Sequence, residues 1–310
     1  MSFSNDVRNE LARVMPEKEC CCQAELSALL TSGSTVVEFE EDGYSLQVRV
    51  ENAATARKIF KLFKRNGLQS TVRIGNRKRF GKTKIYEVAT HFSADNLSIL
   101  QELHLIEDNN NRRQFRSHLT RKTCCKRCFL RGVFLSRGFV NRPENDYHLE
   151  LVFTGEKLAV HVQKLLAHFD IEARIFERKN NLVVYVKESE KIGDFLRVVG
   201  ASRALLEFEN VRIIKSMRNT VNRQVNCETA NLAKTIDASV RQIDLINRAM
   251  KKEGWKNLPP QFKELALLRI EYPDYTLKEL GELTQPPLSK SGVAYRMRRL
   301  EKMAEDIIGI

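Results

Sequence analysis

Two nine-residue stretches, 105 residues apart, restrict the fold more than any other feature of the chain. Glu25-Leu26-Ser27-Ala28-Leu29-Leu30-Thr31-Ser32-Gly33 and Leu130-Arg131-Gly132-Val133-Phe134-Leu135-Ser136-Arg137-Gly138 both read as short apolar helices. Each has a small residue at its third position and a glycine at its ninth, follows a cysteine cluster and leads into alternating β sequence. If the two helices pack on one another, the first two-thirds of the chain is one fold written twice. The residue before each closing glycine, Ser32 or Arg137, then bears on whether the protein is an enzyme.

The flanking pattern supports the duplication. Ser4–Val14 predicts an amphipathic helix, and a second helix runs from about Cys22 to Ser32. Val36–Glu40 and Tyr44–Val50 alternate around Glu41-Asp42-Gly43, as in a β-hairpin. Ala53–Asn66 is helical, with Ile59, Leu62 and Phe63 on one face, Lys58, Lys61, Lys64 and Arg65 elsewhere, and Gly67 as cap. Ser70–Ile74 and Ile85–Phe92 form a second hairpin around residues 75–84, and Asn96–Leu105 closes the unit as a helix. After a basic connector (109–122) the order recurs. The Leu130 helix is followed by strands Phe139–Asn141 and His148–Thr154, then by helix Glu156–Phe169. Strands Ile171–Glu177 and Leu182–Lys187 and helix Lys191–Val199 complete the second copy, which Gly200 ends. Ala201 to about Arg223 has a less clear pattern and reads as a connecting segment, with a helix as the alternative. Glu228–Glu253 and Pro259–Glu271 are helical; Thr276-Leu-Lys-Glu279 is a capping box, and Ser289–Asp306 is the last helix.

The net charge of +13 favours an acidic partner, and the charge is unevenly spread. Residues 1–56 carry ten acids against four bases, whereas 57–84 hold eleven bases and 109–143 ten, with no acid in either block. A solvated basic face is the plain alternative to a nucleic-acid footprint. No apolar run is long enough to span a bilayer and the N-terminus lacks an apolar signal core, so a cytoplasmic, nucleoid-associated protein without membrane contact is expected. The seven cysteines, an odd number without a secretion signal, point to reduced thiols. Cys125-Lys-Arg-Cys128 with Cys20, Cys21 and Cys22 offers thiol ligands, but at helix starts rather than in a zinc ribbon; no metal or other cofactor is expected.

Near the C-terminus a short helix, the turn Thr284-Gln-Pro-Pro287 and a basic helix spell helix-turn-helix. Val293, Met297 and Leu300 form an inward apolar stripe; Ser291, Tyr295, Arg298 and Lys302 fall opposite, flanked by Arg299. With Ser289 and Lys290 at the helix start, these are the expected duplex-DNA contacts, an arginine being able to hold guanine through two hydrogen bonds. Arg73, Arg77, Lys78, Arg79, Lys82 and Lys84 are expected to add an accessory basic surface.

The paired repeats resemble LAGLIDADG homing endonucleases. The whole chain resembles the WhiA family, in Cys20-Cys-Cys22 with Ala24-Glu-Leu26, Cys124-Cys125 before Leu130-Arg-Gly132, and His148-Leu-Glu150. The match continues through Asn222-Arg223, Asn226-Cys-Glu228, Ala230-Asn-Leu232 and Pro287-Leu-Ser-Lys-Ser-Gly292. The resemblance implies an α+β architecture: tandem αββαββα repeats (1–106 and 107–203) forming a saddle, a connecting segment (204–223) and an all-α helix-turn-helix domain (224–310). It also implies seam helices whose eighth position is acidic in active endonucleases, where both repeats supply carboxylates for divalent metal. Here those positions hold Ser32 and Arg137; Thr31, Leu135 and Ser136 offer no carboxylate, and Glu25 lies about 10 Å back along its helix. A non-catalytic DNA-binding protein is therefore expected. Arg137 either presents its charge to phosphate or pairs with a local acid. The resemblance further implies transcriptional regulation in cell division and chromosome segregation, with sporulation in some lineages. Binding of structured RNA and residual metal-dependent cleavage stay open as alternatives. The internal symmetry makes a dimer unnecessary, so a monomer suffices.

Overall fold

The computed structural model describes residues 2–40, 43–77, 83–93 and 117–309. The expected closing helix at Asn96–Leu105, most of the basic connector, and Lys78, Arg79 and Lys82 lie outside them. Two compact units divide the chain, Met1–Lys215 and Ser216–Ile310.

In the first unit, α1 (Phe3–Leu11) and α2 (Glu19–Ser32) lead into β1 (Ser34–Glu40), β2 (Gly43–Val50), α3 (Ala53–Arg65), β3 (Ser70–Arg77) and β4 (Thr83–Phe92). The second copy is α4 (Thr123–Arg137), β5 (Gly138–Val140), β6 (Leu149–Phe153), α5 (Glu156–Ala167), β7 (Arg174–Arg178), β8 (Asn181–Val186) and α6 (Ser189–Val199). Each copy builds one antiparallel four-stranded sheet, ordered β1-β2-β4-β3 and β5-β6-β8-β7. The identical order is the structural form of the repeat.

One face of each sheet packs on helices because strand residues alternate: Leu46, Val48 and Val88 in the first, and Leu149, Leu151 and Val184 in the second, are buried. α2 and α4 are buried on all sides through their middle turns, over 24–30 and 128–135, as a seam between two half-domains requires. Gly132 permits their approach, since a Cβ there would sit 2.5 Å from the Glu25 carbonyl oxygen and 2.8 Å from the Ala28 Cβ. Substituting Gly132→Leu should therefore force the seam apart and cost about 3 kcal/mol or more, read as a lower denaturation midpoint. α1 ties the copies together. Its Ser4 hydroxyl donates to the Val140 carbonyl (2.7 Å) and accepts from the Val140 amide (2.9 Å).

Lys58 departs from the sequence expectation. The helical pattern sets it off the apolar face of α3, with Lys61, Lys64 and Arg65, yet it is fully buried. Its ammonium donates to the carbonyls of Leu11 (2.8 Å) and Val14 (2.7 Å) and pairs with Glu25, so all three N–H groups are used. α2 also begins three residues before the expected Cys22, which draws Cys20 and Cys21 into its first turn.

α7 (Ser202–Met250) is one helix of 49 residues that includes the expected connecting segment. Glu10 holds its start, accepting from the amides of Arg203 (2.7 Å) and Ala204 (2.9 Å). In the second unit α7 is followed by α8 (Pro260–Glu271), α9 (Leu277–Leu283) and α10 (Lys290–Ile308). These pack around Ile246, Phe262, Leu265, Leu280, Val293, Met297 and Leu300. Arg269 is buried there, donating to the carbonyl oxygens of Pro273 (3.4 Å) and Tyr275 (2.7 Å), which fixes the approach to α9.

Candidate nucleic-acid interface

The helix-turn-helix is assembled from local rules. The Thr276 hydroxyl accepts from the Glu279 amide while the Glu279 carboxylate accepts from the Thr276 amide, closing the capping box that starts α9. The turn folds back on α9: the Leu288 amide donates to the Gly281 carbonyl (2.9 Å), and any Cβ at Gly281 would lie 2.3 Å from the Leu288 carbonyl oxygen. Thr284 closes the bend through its hydroxyl to the same Gly281 carbonyl, 2.9 Å away. Ser289 then caps α10, accepting from the Gly292 amide at 3.2 Å and lying 3.0 Å from the Ser291 hydroxyl.

Val293, Met297, Leu300 and Ala304 are buried against the bundle. Ser289, Lys290, Ser291, Tyr295, Arg298, Arg299 and Lys302 are exposed, so every C-terminal residue singled out in the sequence lies on the solvent side of α10 or at its start. Arg299 leans over the Tyr295 ring, its guanidinium carbon 5.8 Å from the centroid, and donates to the phenol oxygen at 3.3 Å. Arg298 donates through Nε to the Ala294 carbonyl of its own helix (3.3 Å), and neither it nor Lys302 has an acid partner among the ion pairs of the described residues.

At the C-terminal end of the seam in the first unit, the two acid positions of an active endonuclease are occupied differently. The Ser32 hydroxyl donates to the Ala28 carbonyl of its own helix and is buried. Arg137 donates to the Ser32 carbonyl (3.2 Å) and to the Ser34 hydroxyl (3.2 Å), both in the other copy. It takes no acid as partner among the described residues, so the local-acid reading is not what the geometry shows. Beside it opens a cleft of about 500 Å³ lined by Arg8, Arg49 and Arg137 with one acid, Glu51. The cleft is therefore net positive, a poor seat for Mg²⁺ and a good one for phosphate. Sequence reasoning missed Arg8 and Arg49, because nothing in their local spacing marks them as neighbours of Arg137.

Glu25, the acid nearest the Ser32 position on the same helix, is engaged elsewhere. Its carboxylate is fully buried between Lys58 and Arg131, whose Nη1 is 3.3 Å from Oε2. Burial pushes that carboxyl above its ordinary range, against the pull of the two cations.

The proposed accessory surface is only partly described. Strand register puts Arg73 on the open face of the first sheet, opposite Glu87, which accepts from the Arg49 Nε at 2.8 Å. Arg77 pairs with Thr83 at the end of β3, while Lys84 lies on the other face by register. The open face of the second sheet carries exposed Phe139 and Phe176 beside Tyr185, together with Arg174, Arg178 and Glu150. Among the described residues the open faces thus present mixed polar and aromatic surface.

The two cysteine clusters noted in the sequence meet across the seam helices. The structure gathers Cys20 and Cys21 of α2 with Cys124 and Cys125 of α4, all four sulfurs within 4.8 Å of one another.

Comparison with known proteins agrees across the chain. Residues 19–106 match the WhiA N-terminal LAGLIDADG-like domain, 126–218 the WhiA LAGLIDADG-like domain, and 221–304 the WhiA C-terminal HTH domain. The "Probable cell division protein WhiA" of Syntrophomonas wolfei is 55% identical, covering 99% of both chains. That of Heliobacterium modesticaldum is 45% identical over 98% of this chain and 96% of its own. The crystal structure of full-length DUF199/WhiA from Thermatoga maritima superposes with a TM-score of 0.62 at 25% identity, covering 99% of each chain. Two LAGLIDADG-like repeats followed by a helix-turn-helix, matched over the full length, place this chain in the WhiA family.

Proposed function

We propose that the chain is a non-catalytic, sequence-specific double-stranded DNA-binding protein that regulates transcription in cell division and chromosome segregation. The observation that carries this reading is the outward face of α10. Ser291, Tyr295, Arg298 and Lys302 project from a helix whose opposite stripe is locked into the bundle. A capped helix presented in this way matches the dimensions of the major groove of B-form DNA. The cell-division role rests on the names of the relatives, and the regulatory role on the kind of domain that α10 completes.

In this reading residues 224–310 read the sequence, and the repeats 1–106 and 107–203 add phosphate contacts through the Arg8/Arg49/Arg137 cleft, with 204–223 as connection. The seam supports binding without cutting, because Ser32, Arg137 and the engaged Glu25 leave it no free carboxylate at the metal positions. In this reading the chain works at the nucleoid as a monomer; no described helix is long and apolar enough to cross a membrane.

Duplex binding measured by fluorescence anisotropy over a salt series tests the two contributions. Arg137→Ala should weaken binding about tenfold on all sequences alike and lower the salt slope by about one. Unchanged affinity and slope would remove Arg137 from the interface. Displacement of the duplex by structured RNA at equal concentration would contradict duplex DNA as the ligand.

A further inference from the structure

We propose that Cys20, Cys21, Cys124 and Cys125 form a four-thiolate site for a zinc-class metal ion that joins the two repeats at the N-terminal end of their seam. Two pairs of adjacent cysteines, 104 residues apart, enter the first turns of α2 and α4. Those helices meet side by side, so their first turns bring the pairs together. The four sulfurs all fall within 4.8 Å of one another, and Cys124 and Cys125 are 4.0 Å apart. Sulfurs about 2.3 Å from a tetrahedral zinc ion are about 3.8 Å from each other, so small side-chain rotations close the shell.

Core packing alone does not account for this placement. Cysteine as a small apolar filler needs volume, not convergence of sulfur on sulfur, and Cys20 and Cys124 are only half-buried. A permanent disulfide is not the present arrangement either, since all four thiols are free. The surroundings suit the charge. Four thiolates around a divalent ion leave two negative charges, which face two helix N-termini and the flanking Lys18 and Lys122. A cleft lined by Cys20, Gln23, His118, Arg121, Lys122 and Cys125 gives an ion a path in. An all-sulfur shell selects zinc-class ions and rejects the hard Mg²⁺ that an endonuclease would use. The role is structural: a closed shell with no open position for water, pinning one end of the seam while Gly132 lets the helices touch further along.

The test is metal analysis of the full chain, purified with reductant and without chelator, followed by removal of metal and titration with cobalt(II). Wild type should carry about one zinc per chain and, with cobalt, give the intense visible bands of a tetrahedral thiolate complex. Cys20→Ser/Cys125→Ser should lose at least nine-tenths of the metal, while Cys227→Ser, altered at an exposed position on α7, should keep it all. Wild type that binds neither zinc nor cobalt while all thiols titrate as free would overturn the site, whatever the variants do. Full metal occupancy in Cys20→Ser/Cys125→Ser would overturn it equally.

Discussion

Glu25→Ala should lower the unfolding free energy of the first unit by about 3–5 kcal/mol, the usual cost of breaking a buried ion pair from one side. The carboxylate has no solvent exposure and sits between two cations from different parts of the repeat pair. Lys58 spends its other two protons on Leu11 and Val14, at the C-terminal end of α1, where a positive charge is favoured. Arg131 is fastened through Nε to the Val199 carbonyl (2.7 Å), so neither cation can swing out to water cheaply. Alanine would leave both desolvated and unpaired. Glu25→Gln should cost less, because an amide oxygen still accepts from one of them. Denaturant midpoints at equal slope measure the difference; a loss below about 1 kcal/mol for alanine would show that water reaches the triad.

Tyr295→Ala/Arg298→Ala/Lys302→Ala should abolish preference for the target sequence, lowering specific duplex affinity about a thousandfold toward the non-specific level. All three side chains are exposed on α10 and none belongs to the packed stripe, so the fold should be unaffected. Arg298 alone should account for about 10- to 100-fold, if it holds a guanine through both guanidinium nitrogens. The variant should keep its thermal midpoint and its non-specific binding at low salt. Equal losses on all sequences would make α10 a phosphate clamp rather than a reader.

The α10 stripe was legible in the sequence because burial there is periodic: Val293, Met297 and Leu300 recur on one face and nothing distant competes. The repeat was legible for a similar reason, since strand alternation and closing glycines are local signals. The middle of α7 was not. Ala204 and Phe208 are buried at helical spacing, but Ile214, Met217, Val221 and Val225 are all exposed, so the burial period fades before residue 223. Lys58 was misplaced because its partners Leu11, Val14 and Glu25 lie 33 to 47 residues away, beyond any helical spacing. That the two cysteine clusters could combine was legible, but not which four thiols converge. Cys125 and Cys128 are close in sequence, but the seam, and not the CxxC spacing, decides which sulfurs meet. Likewise the positive cleft joins Arg8, Arg49 and Arg137 only after both copies have folded.

The measurement that bears most directly on the central claim is selection of the full chain against a random duplex library in the presence of Mg²⁺, with recovery and sequencing of both bound and cleaved DNA. A non-catalytic reader predicts one enriched motif in intact duplexes, lost in the Tyr295/Arg298/Lys302 alanine variant. Recovery of cut ends at a fixed site, or intact duplexes with no shared motif, would contradict it.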